Sequence, residues 1–412
     1  MKRNYLWAAF DKLSQLFIGL FITKLLAGYF GTDLFGAYQF SLSTFAVATS
    51  LTWLCPAELF YGRVDEHGRL NDTIITTSIV YRAALCLGIF VLGYAYVAAA
   101  VPDAAKITFT SILLLSLLYS EPLGIFRMLL ETTGQYHLTS KVRFLGVAAK
   151  VLVVCLTVKL ELPPVVGAGA ALVESLIVSF VCLVLYRKNV AKYRFAISDL
   201  RGSFLKEASL EGLKYWPGLV AMTFALKAYR ILLASTMNAQ QFGAYAAGMS
   251  LFEQFTTIGT SIVAVAAPIY IYRATENRIR FNFLISLLAM VAMSVVGSAV
   301  LYALTPFIIQ VVYGAKFAHA VEVFRTALLF APLVFVELAA STLIVKNKMP
   351  WVFSFKWVAA TAFCLIALKL GHGPMVGVYA HVLSWSVAVI LSACYAVTYF
   401  KCIRLKEVEI GA

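Results

Sequence analysis

Long apolar runs, separated by short polar segments, follow one another along the whole chain. Most are about 20 residues long, which at 1.5 Å per residue is enough to cross a hydrocarbon core about 30 Å thick. Because lipid offers the backbone no hydrogen bonds, such runs form helices or a closed barrel, and the lack of strict alternation favours helices. The pattern predicts twelve spans, at 8–28, 37–57, 78–99, 107–128, 142–160, 165–186, 213–235, 244–270, 283–304, 323–345, 351–370 and 375–399.

The composition agrees with an all-α polytopic membrane protein. Of the 412 residues, 61% are hydrophobic and only 13% are charged, whereas a soluble domain usually has about a quarter of its residues charged. The longest polar stretch between predicted spans is 187–210, at the midpoint. The sequence therefore predicts short connections and no large extramembrane domain.

The formal net charge of +14 is spread along one side of the predicted membrane and does not form a basic nucleic-acid-binding domain. Twenty Lys and Arg residues lie in one set of connections and termini, against four in the other set: Lys106, Lys159, Lys316 and Lys369. Since cytoplasmic loops are the Lys- and Arg-rich ones, both termini are predicted to be cytoplasmic.

Short motifs recur at a nearly constant offset and predict an internal duplication. Phe35-Gly36-Ala37-Tyr38 matches Phe242-Gly243-Ala244-Tyr245 at an offset of 207, and Val166-Gly167 matches Val376-Gly377 at 210. Six spans per copy is an even number, so the copies are parallel and transport would use a central cavity at their interface. The predicted organisation is an N-terminal six-helix lobe at 1–190, a cytoplasmic linker at 191–212 and a C-terminal six-helix lobe at 213–412.

Four basic residues lie well inside predicted spans, where a charge costs about 2.5–3.5 kcal/mol to insert. They are Lys24, Lys150, Lys227 and Arg230. The 207 offset places Lys24 beside the position of Arg230, so we expect these residues to bind an anion, such as a phosphate, in a central cavity. The alternatives are snorkelling to the interface or pairing with carboxylates on neighbouring helices. Arg82 and Lys356 lie near predicted cytoplasmic ends, which favours snorkelling for them.

Four carboxylates inside spans are candidates for ion coupling: Glu121, Glu174, Glu253 and Glu337. A carboxylate in a low-dielectric cavity can take up and release a proton during transport. The competing interpretation, slightly favoured for each glutamate taken singly, is a salt bridge to one of the intramembrane cations.

The sequence contains no pattern typical of an enzyme site. The five histidines do not form metal-ligand spacing, and neither a nucleophile motif nor a glycine-rich phosphate loop is present. We therefore expect no catalytic residue, metal or cofactor. A membrane-embedded glycan-assembly enzyme or a scaffold stays as an alternative, although a scaffold would leave the intramembrane cations unexplained.

The chain resembles the polysaccharide or O-antigen flippase (Wzx-like) branch of the multidrug/oligosaccharidyl-lipid/polysaccharide exporter superfamily. The motifs that carry the resemblance are Gly31 with Phe35-Gly36-Ala37-Tyr38, Gly243-x-Tyr245-x-Ala247, and Arg127 followed by Thr133-Gly134-Gln135. The resemblance implies a flippase of the bacterial inner membrane. It would move an undecaprenyl-pyrophosphate-linked oligosaccharide from the cytoplasmic to the periplasmic leaflet by alternating access.

The resemblance also implies partners and site residues. A proton or sodium ion would drive antiport, and a glycan polymerase or chain-length machinery would act nearby. Cations in the first and seventh helices of the family match Lys24, Lys227 and Arg230, and Tyr229 and Gln254 are candidates for glycan contacts. A cation-coupled multidrug antiporter of the same superfamily is the main alternative, but carboxylates are expected to line its cavity. A peptidoglycan-precursor flippase typically has two more helices.

Overall fold

The computed structural model describes residues 2–54, 70–195, 200, 202–371 and 375–411. These residues form fourteen α-helices: α1 Lys2–Thr52, α2 Asp72–Ala100, α3 Ala104–Leu115, α4 Leu117–Thr132, α5 Tyr136–Lys159, α6 Pro164–Asn189, α7 Gly202–Leu213, α8 Trp216–Thr236, α9 Ala239–Ala267, α10 Glu276–Val312, α11 Ala320–Leu329, α12 Ala331–Lys346, α13 Pro350–Leu370 and α14 Val376–Gly411. The described residues contain no strand, so the prediction of an all-α chain is confirmed.

Nine helical segments in the described chain are long and apolar enough to cross a membrane, and the bent pair α11–α12 makes a tenth. Counting the two halves of α1 separately and adding α5 accounts for the twelve predicted spans. Helix α5 falls outside the apolar set because it carries four basic residues, Lys141, Arg143, Lys150 and Lys159. Residues 55–57, the predicted end of the second span, lie outside the described residues.

Gly31 separates the first two spans within α1. Its φ of 69° and ψ of −175° interrupt the helical backbone, in a region that residues with a Cβ rarely enter. A Cβ built there would meet nothing within 4 Å, so the position needs glycine for its backbone conformation and not for space.

Two other spans are interrupted, at equivalent places in the two repeats. The regular helical pattern is interrupted at Ser116 between α3 and α4, where the backbone stays helical and the serine hydroxyl donates to the carbonyl of Leu113. Helices α11 and α12 meet at 47° across Phe330, and Pro332 in the first turn of α12 cannot continue the preceding helix. The two breaks are 330 − 116 = 214 residues apart, close to the offsets of the sequence motifs.

The chain divides into two compact units, Met1–Trp216 and Pro217–Ala412. Within the first unit, α1 packs on α3, α2 on α4, α4 on α6, and α5 on α6. Within the second, the equivalent pairs pack in the same way: α9 on α11, α10 on α12, α12 on α14, and α13 on α14. The shared packing scheme is what an internal duplication produces.

The repeated sequence motifs are packing elements. Phe35, Tyr38, Phe242 and Tyr245 are all at most 6% exposed. At Gly377 a Cβ would overlap the side chains of Leu233 and Tyr245, and at Gly167 it would lie 3.2–3.5 Å from atoms of three side chains. The glycine of each Val-Gly pair therefore lets the last helix of its unit approach its neighbours closely.

The connection between α6 and α8 contains a helix. Part of the predicted linker forms α7, which is fastened to α2 by a 2.9 Å hydrogen bond between the hydroxyls of Tyr81 and Ser209. The indole N–H of Trp216 donates to the carbonyl of Leu51 in the same unit. Residues 196–199 and 201 of this connection lie outside the described residues.

We expect Gly377→Ala to destabilise the second unit by about 1–3 kcal/mol, the usual cost of overpacking a filled core. The thermal unfolding midpoint of the purified protein in detergent should fall. Gly88→Ala is the matched control, since a Cβ on this α2 glycine meets nothing within 4 Å and alanine favours a helix. Equal midpoints for the two variants would contradict this account of the motif.

Candidate functional site

A partly buried ion pair joins α5 and α6 in the first unit. The Lys150 ammonium donates to Glu174 Oε2 at 2.9 Å, and the two side chains are 22% and 30% exposed. A Cβ on Gly146, one turn before Lys150, would lie 3.1 Å from the carbonyl oxygen of Glu174. The glycine therefore lets the two helices approach closely enough for this pair to form.

The second unit holds a three-residue cluster between α8 and α9. Glu253 accepts from Lys227 Nζ at 2.7 Å through one carboxylate oxygen and lies 3.0 Å from Arg230 Nη2 through the other. The Arg230 side chain is 2% exposed, while those of Lys227 and Glu253 are about a quarter exposed. Two cations on one carboxylate leave a net charge of +1, which favours an anion as the ligand of this cluster.

Aromatic side chains enclose the cluster. Tyr229 is fully buried, donates a long 3.4 Å hydrogen bond to Glu253 and packs edge-on against Tyr245 and His381. The indole of Trp385 donates to His381 Nε2 at 2.9 Å. Because Tyr229 has no exposed surface, the expectation that it contacts a glycan directly is wrong for this conformation.

The motif tyrosine is a neighbour of the ion pair in both units. Tyr38 lies close enough to Lys150 and Glu174 to interact with both charges, and Tyr245 stands in the same relation to Arg230 and Glu253. The charged residues come from different spans of each repeat. They lie on the fifth and sixth spans of the first unit but on the first and second spans of the second unit. The tyrosine is therefore common to the two repeats, whereas the neighbouring ion pairs lie on different spans.

Two further ion pairs overturn the snorkelling interpretation of Arg82 and Lys356. Arg82 is 5% exposed and donates to Glu121 at 2.9 Å. Its helix begins at Asp72, six residues before the predicted span, so Arg82 lies deeper than the sequence suggested. Lys356 and Glu337 are 1% and 2% exposed, and Ser341 hydrogen-bonds to both.

The Lys356 pair has a counterpart in the first unit. Arg143, which lies 213 residues before Lys356 and so at the equivalent place in the first repeat, donates to Glu131 on α4 at 3.1 Å. Both cations begin the fifth helix of their repeat and pair with the fourth. The sequence alone does not show that the two pairs correspond, because Glu131 and Glu337 are not at equivalent positions.

Lys24 differs from the other intramembrane cations. Its side chain is exposed, and no carboxylate in the described part of the chain lies within ion-pair distance of it. Lys24 therefore lies beside the Arg230 position by sequence offset, but the two side chains have different environments. Lys24 is thus available to an external anion.

The described residues hold no group of three or more His, Cys, Asp or Glu side chains that could bind a metal ion. The chemistry of these clusters is electrostatic, since each consists of basic side chains and carboxylates without a neighbouring nucleophile arrangement. They are suited to binding an anion or exchanging a proton.

Comparison with solved structures identifies the fold. The chain is similar to the lipid II flippase MurJ in its inward closed conformation, with a TM-score of 0.74 and 14% identity over 98% of this chain and 91% of that one. It is also similar to an inward-facing multidrug resistance MATE family transporter of the MOP superfamily, with a TM-score of 0.68 and 14% identity over 96% and 99%.

A third similar structure is a MOP superfamily transporter from Pyrococcus furiosus whose reported binding pocket has reversed polarity, with a TM-score of 0.59 and 14% identity over 100% and 97%. No protein-family profile and no curated protein matches the sequence. At this identity the comparisons establish the fold, so the two-lobed, all-α polytopic architecture predicted from the sequence is confirmed.

Breaking the buried pair in α12–α13 should be costly, whereas replacing both partners should not be. Lys356→Met leaves Glu337 buried without its cation, and we expect a loss of about 3–5 kcal/mol, while Lys356→Met combined with Glu337→Leu should recover most of it. Thermal unfolding in detergent measures both. A double variant as unstable as the single one would show that the pair is not the source of the effect.

Proposed function

We propose that the chain is a flippase for an anionic, lipid-linked oligosaccharide, in the manner of the O-antigen flippases that its sequence resembles. The substrate class is an undecaprenyl-pyrophosphate-linked glycan unit, moved from the cytoplasmic to the periplasmic leaflet of the bacterial inner membrane by alternating access. The observation that carries the proposal is the exposed Lys24 without a carboxylate partner inside an apolar helix.

Snorkelling does not explain Lys24. The nearest helix end is the break at Gly31, seven residues and about 10 Å further along α1. Helical side chains tend to lean toward the N-terminus, and this tendency would direct the Lys24 ammonium away from the nearer end and toward the centre of the span. An ammonium in that position needs water or an anion beside it, because hydrocarbon would impose a cost of about 2.5–3.5 kcal/mol.

A pyrophosphate fits this requirement. It is a multiply charged anion, and Lys and Arg are its usual protein partners through charge-assisted hydrogen bonds. The excess positive charge of Lys227 and Arg230 over Glu253 makes an anion the better match for the second unit as well. Lys150 is neutralised by Glu174, so it contributes to the substrate site only if that pair opens.

The multidrug antiporter is the second candidate, because the fold is equally that of multidrug transporters. A cationic substrate needs an available carboxylate inside the membrane. Each of Glu121, Glu174, Glu253 and Glu337 already pairs with a lysine or arginine. The charges of these clusters therefore favour the anionic substrate.

Coupling to a proton or sodium ion is assigned to Glu253 first. Its carboxylate is 24% exposed and contacts two cations, so neutralising it would release both at once. The Glu337 side chain is only 2% exposed. Glu121 and Glu174 are partly exposed but contact a single cation each.

Lys24→Ala should weaken binding of polyprenyl pyrophosphate by about 10- to 100-fold, the usual contribution of one charge-assisted hydrogen bond, and should slow its translocation in proteoliposomes. Lys24→Arg should retain most of the activity. Lys159→Ala, which removes an exposed lysine at the end of α5, is the matched control. Normal translocation by Lys24→Ala would refute the anionic site.

Glu253→Gln should abolish the acceleration that an imposed proton or sodium gradient gives to translocation, while movement down a substrate gradient continues. Asp33→Asn, at the exposed turn after Gly31, should respond to the gradient as the unmodified protein does. A Glu253→Gln variant that still responds would exclude Glu253 as the coupling residue.

A further inference from the structure

One face of the first half of α1 is exposed along three turns. Phe17 is 67% exposed and Phe21 is 48% exposed, and both Lys24 and Gly28 are exposed as well. The spacings of four, three and four residues place these side chains in one stripe of an α-helix. We call this stripe, formed by Phe17, Phe21, Lys24 and Gly28, the Lys24 face.

The lysine determines what surrounds the face. A stripe in contact with hydrocarbon would hold the Lys24 ammonium in lipid, with no carboxylate among the described residues to offset the cost. The Lys24 face is therefore in contact with water or a polar ligand. Phe17 and Phe21 share that environment because they lie on the same stripe, one and two turns away.

Two exposed phenylalanines in water are unfavourable unless something covers them. Exposed apolar side chains next to a charge are typical of ligand-binding surfaces. The covering group must tolerate water when it is unbound and still have apolar surface to bury. A sugar ring meets both conditions, since its hydroxyls are polar and its C–H bonds form an apolar face.

The order of the residues matches the order of groups in a lipid-linked glycan. Phe21 lies three residues from Lys24 and Phe17 four residues further, so the rings are about 4.5 Å and 10.5 Å from Lys24 along the axis. On the other side, a Cβ on Gly28 would meet nothing within 4 Å, which leaves space beside the lysine. An anionic group at Lys24 thus has aromatic surface on one side and open space on the other.

A second stripe in the same chain shows what a lipid-facing surface looks like. Val300, Leu304, Phe307 and Val311 on α10 have the same spacing of four, three and four, and all are at least 44% exposed. This stripe carries no charge. Phe307, at 66% exposed, is a close match to Phe17 in type and exposure but lies on a face suited to hydrocarbon.

We propose that Phe17 and Phe21 are specificity-determining residues that stack on the first sugars of the substrate while Lys24 holds its pyrophosphate. The proposal rests on the proposed flippase function and adds the place and the means of glycan recognition. It assigns the sugar contacts to α1, and not to Tyr229, which is buried.

The test measures binding of two probes to the full-length protein in nanodiscs: polyprenyl pyrophosphate, and the same lipid carrying one N-acetylhexosamine. We expect the sugar to increase affinity in the unmodified protein. Phe21→Leu, which keeps apolar volume but removes the ring, should lower affinity for the sugar-bearing probe about two- to tenfold and leave the sugar-free probe unchanged. Phe17→Leu should act in the same direction, and Phe21→Tyr should retain the sugar effect.

The controls separate this inference from the proposed function. Phe307→Leu should bind both probes normally. If Phe17→Leu and Phe21→Leu leave both probes unchanged, or weaken both equally, sugar stacking at the Lys24 face is refuted even when Lys24→Ala weakens binding. If Lys24→Ala leaves both probes unchanged, the anionic site itself fails, whatever the phenylalanine variants show.

Discussion

An uncompensated charge in hydrocarbon is expensive, and that constraint organises the interior of both units. Arg82, Lys150 and Lys356 each have a carboxylate on a neighbouring helix, and Lys227 and Arg230 share one. Each pair joins two consecutive spans, with α3 and α4 counted as one span. The pairs therefore also fix how those helices are rotated about their axes, since a rotation would separate the partners.

Lys24 differs from these paired cations. An exposed lysine with no carboxylate partner among the described residues is instead available to an anion, as the proposed function requires. The same reasoning applies to the cluster at Glu253, where Lys227 and Arg230 share one carboxylate and leave an excess positive charge. The fold is similar to those of a lipid II flippase and a multidrug transporter, so the charges and not the fold separate the candidate functions.

The sequence predicts the large features because these depend on the length and order of apolar runs. The spans, the break at Gly31 and the duplication follow from patterns that survive an error of several residues. Ion-pair partners cannot be predicted with such an error, because a shift of one residue rotates a side chain by about 100° around the helix axis. Arg82 seemed close to an interface only because the predicted span began at 78, six residues after the true start of α2. Arg143 and Lys356 lie at equivalent positions of the two repeats, but their carboxylate partners do not.

The relocation of the charged residues between the repeats limits how interchangeable the halves are. Tyr38 and Tyr245 occupy equivalent positions, but the neighbouring pair comes from α5 and α6 in one unit and from α8 and α9 in the other. A symmetric chain made of two copies of residues 1–216 would keep the tyrosine and the close-packed glycine twice. It would lack the cluster in which Lys227 and Arg230 share Glu253, so the two halves of the present protein are not interchangeable.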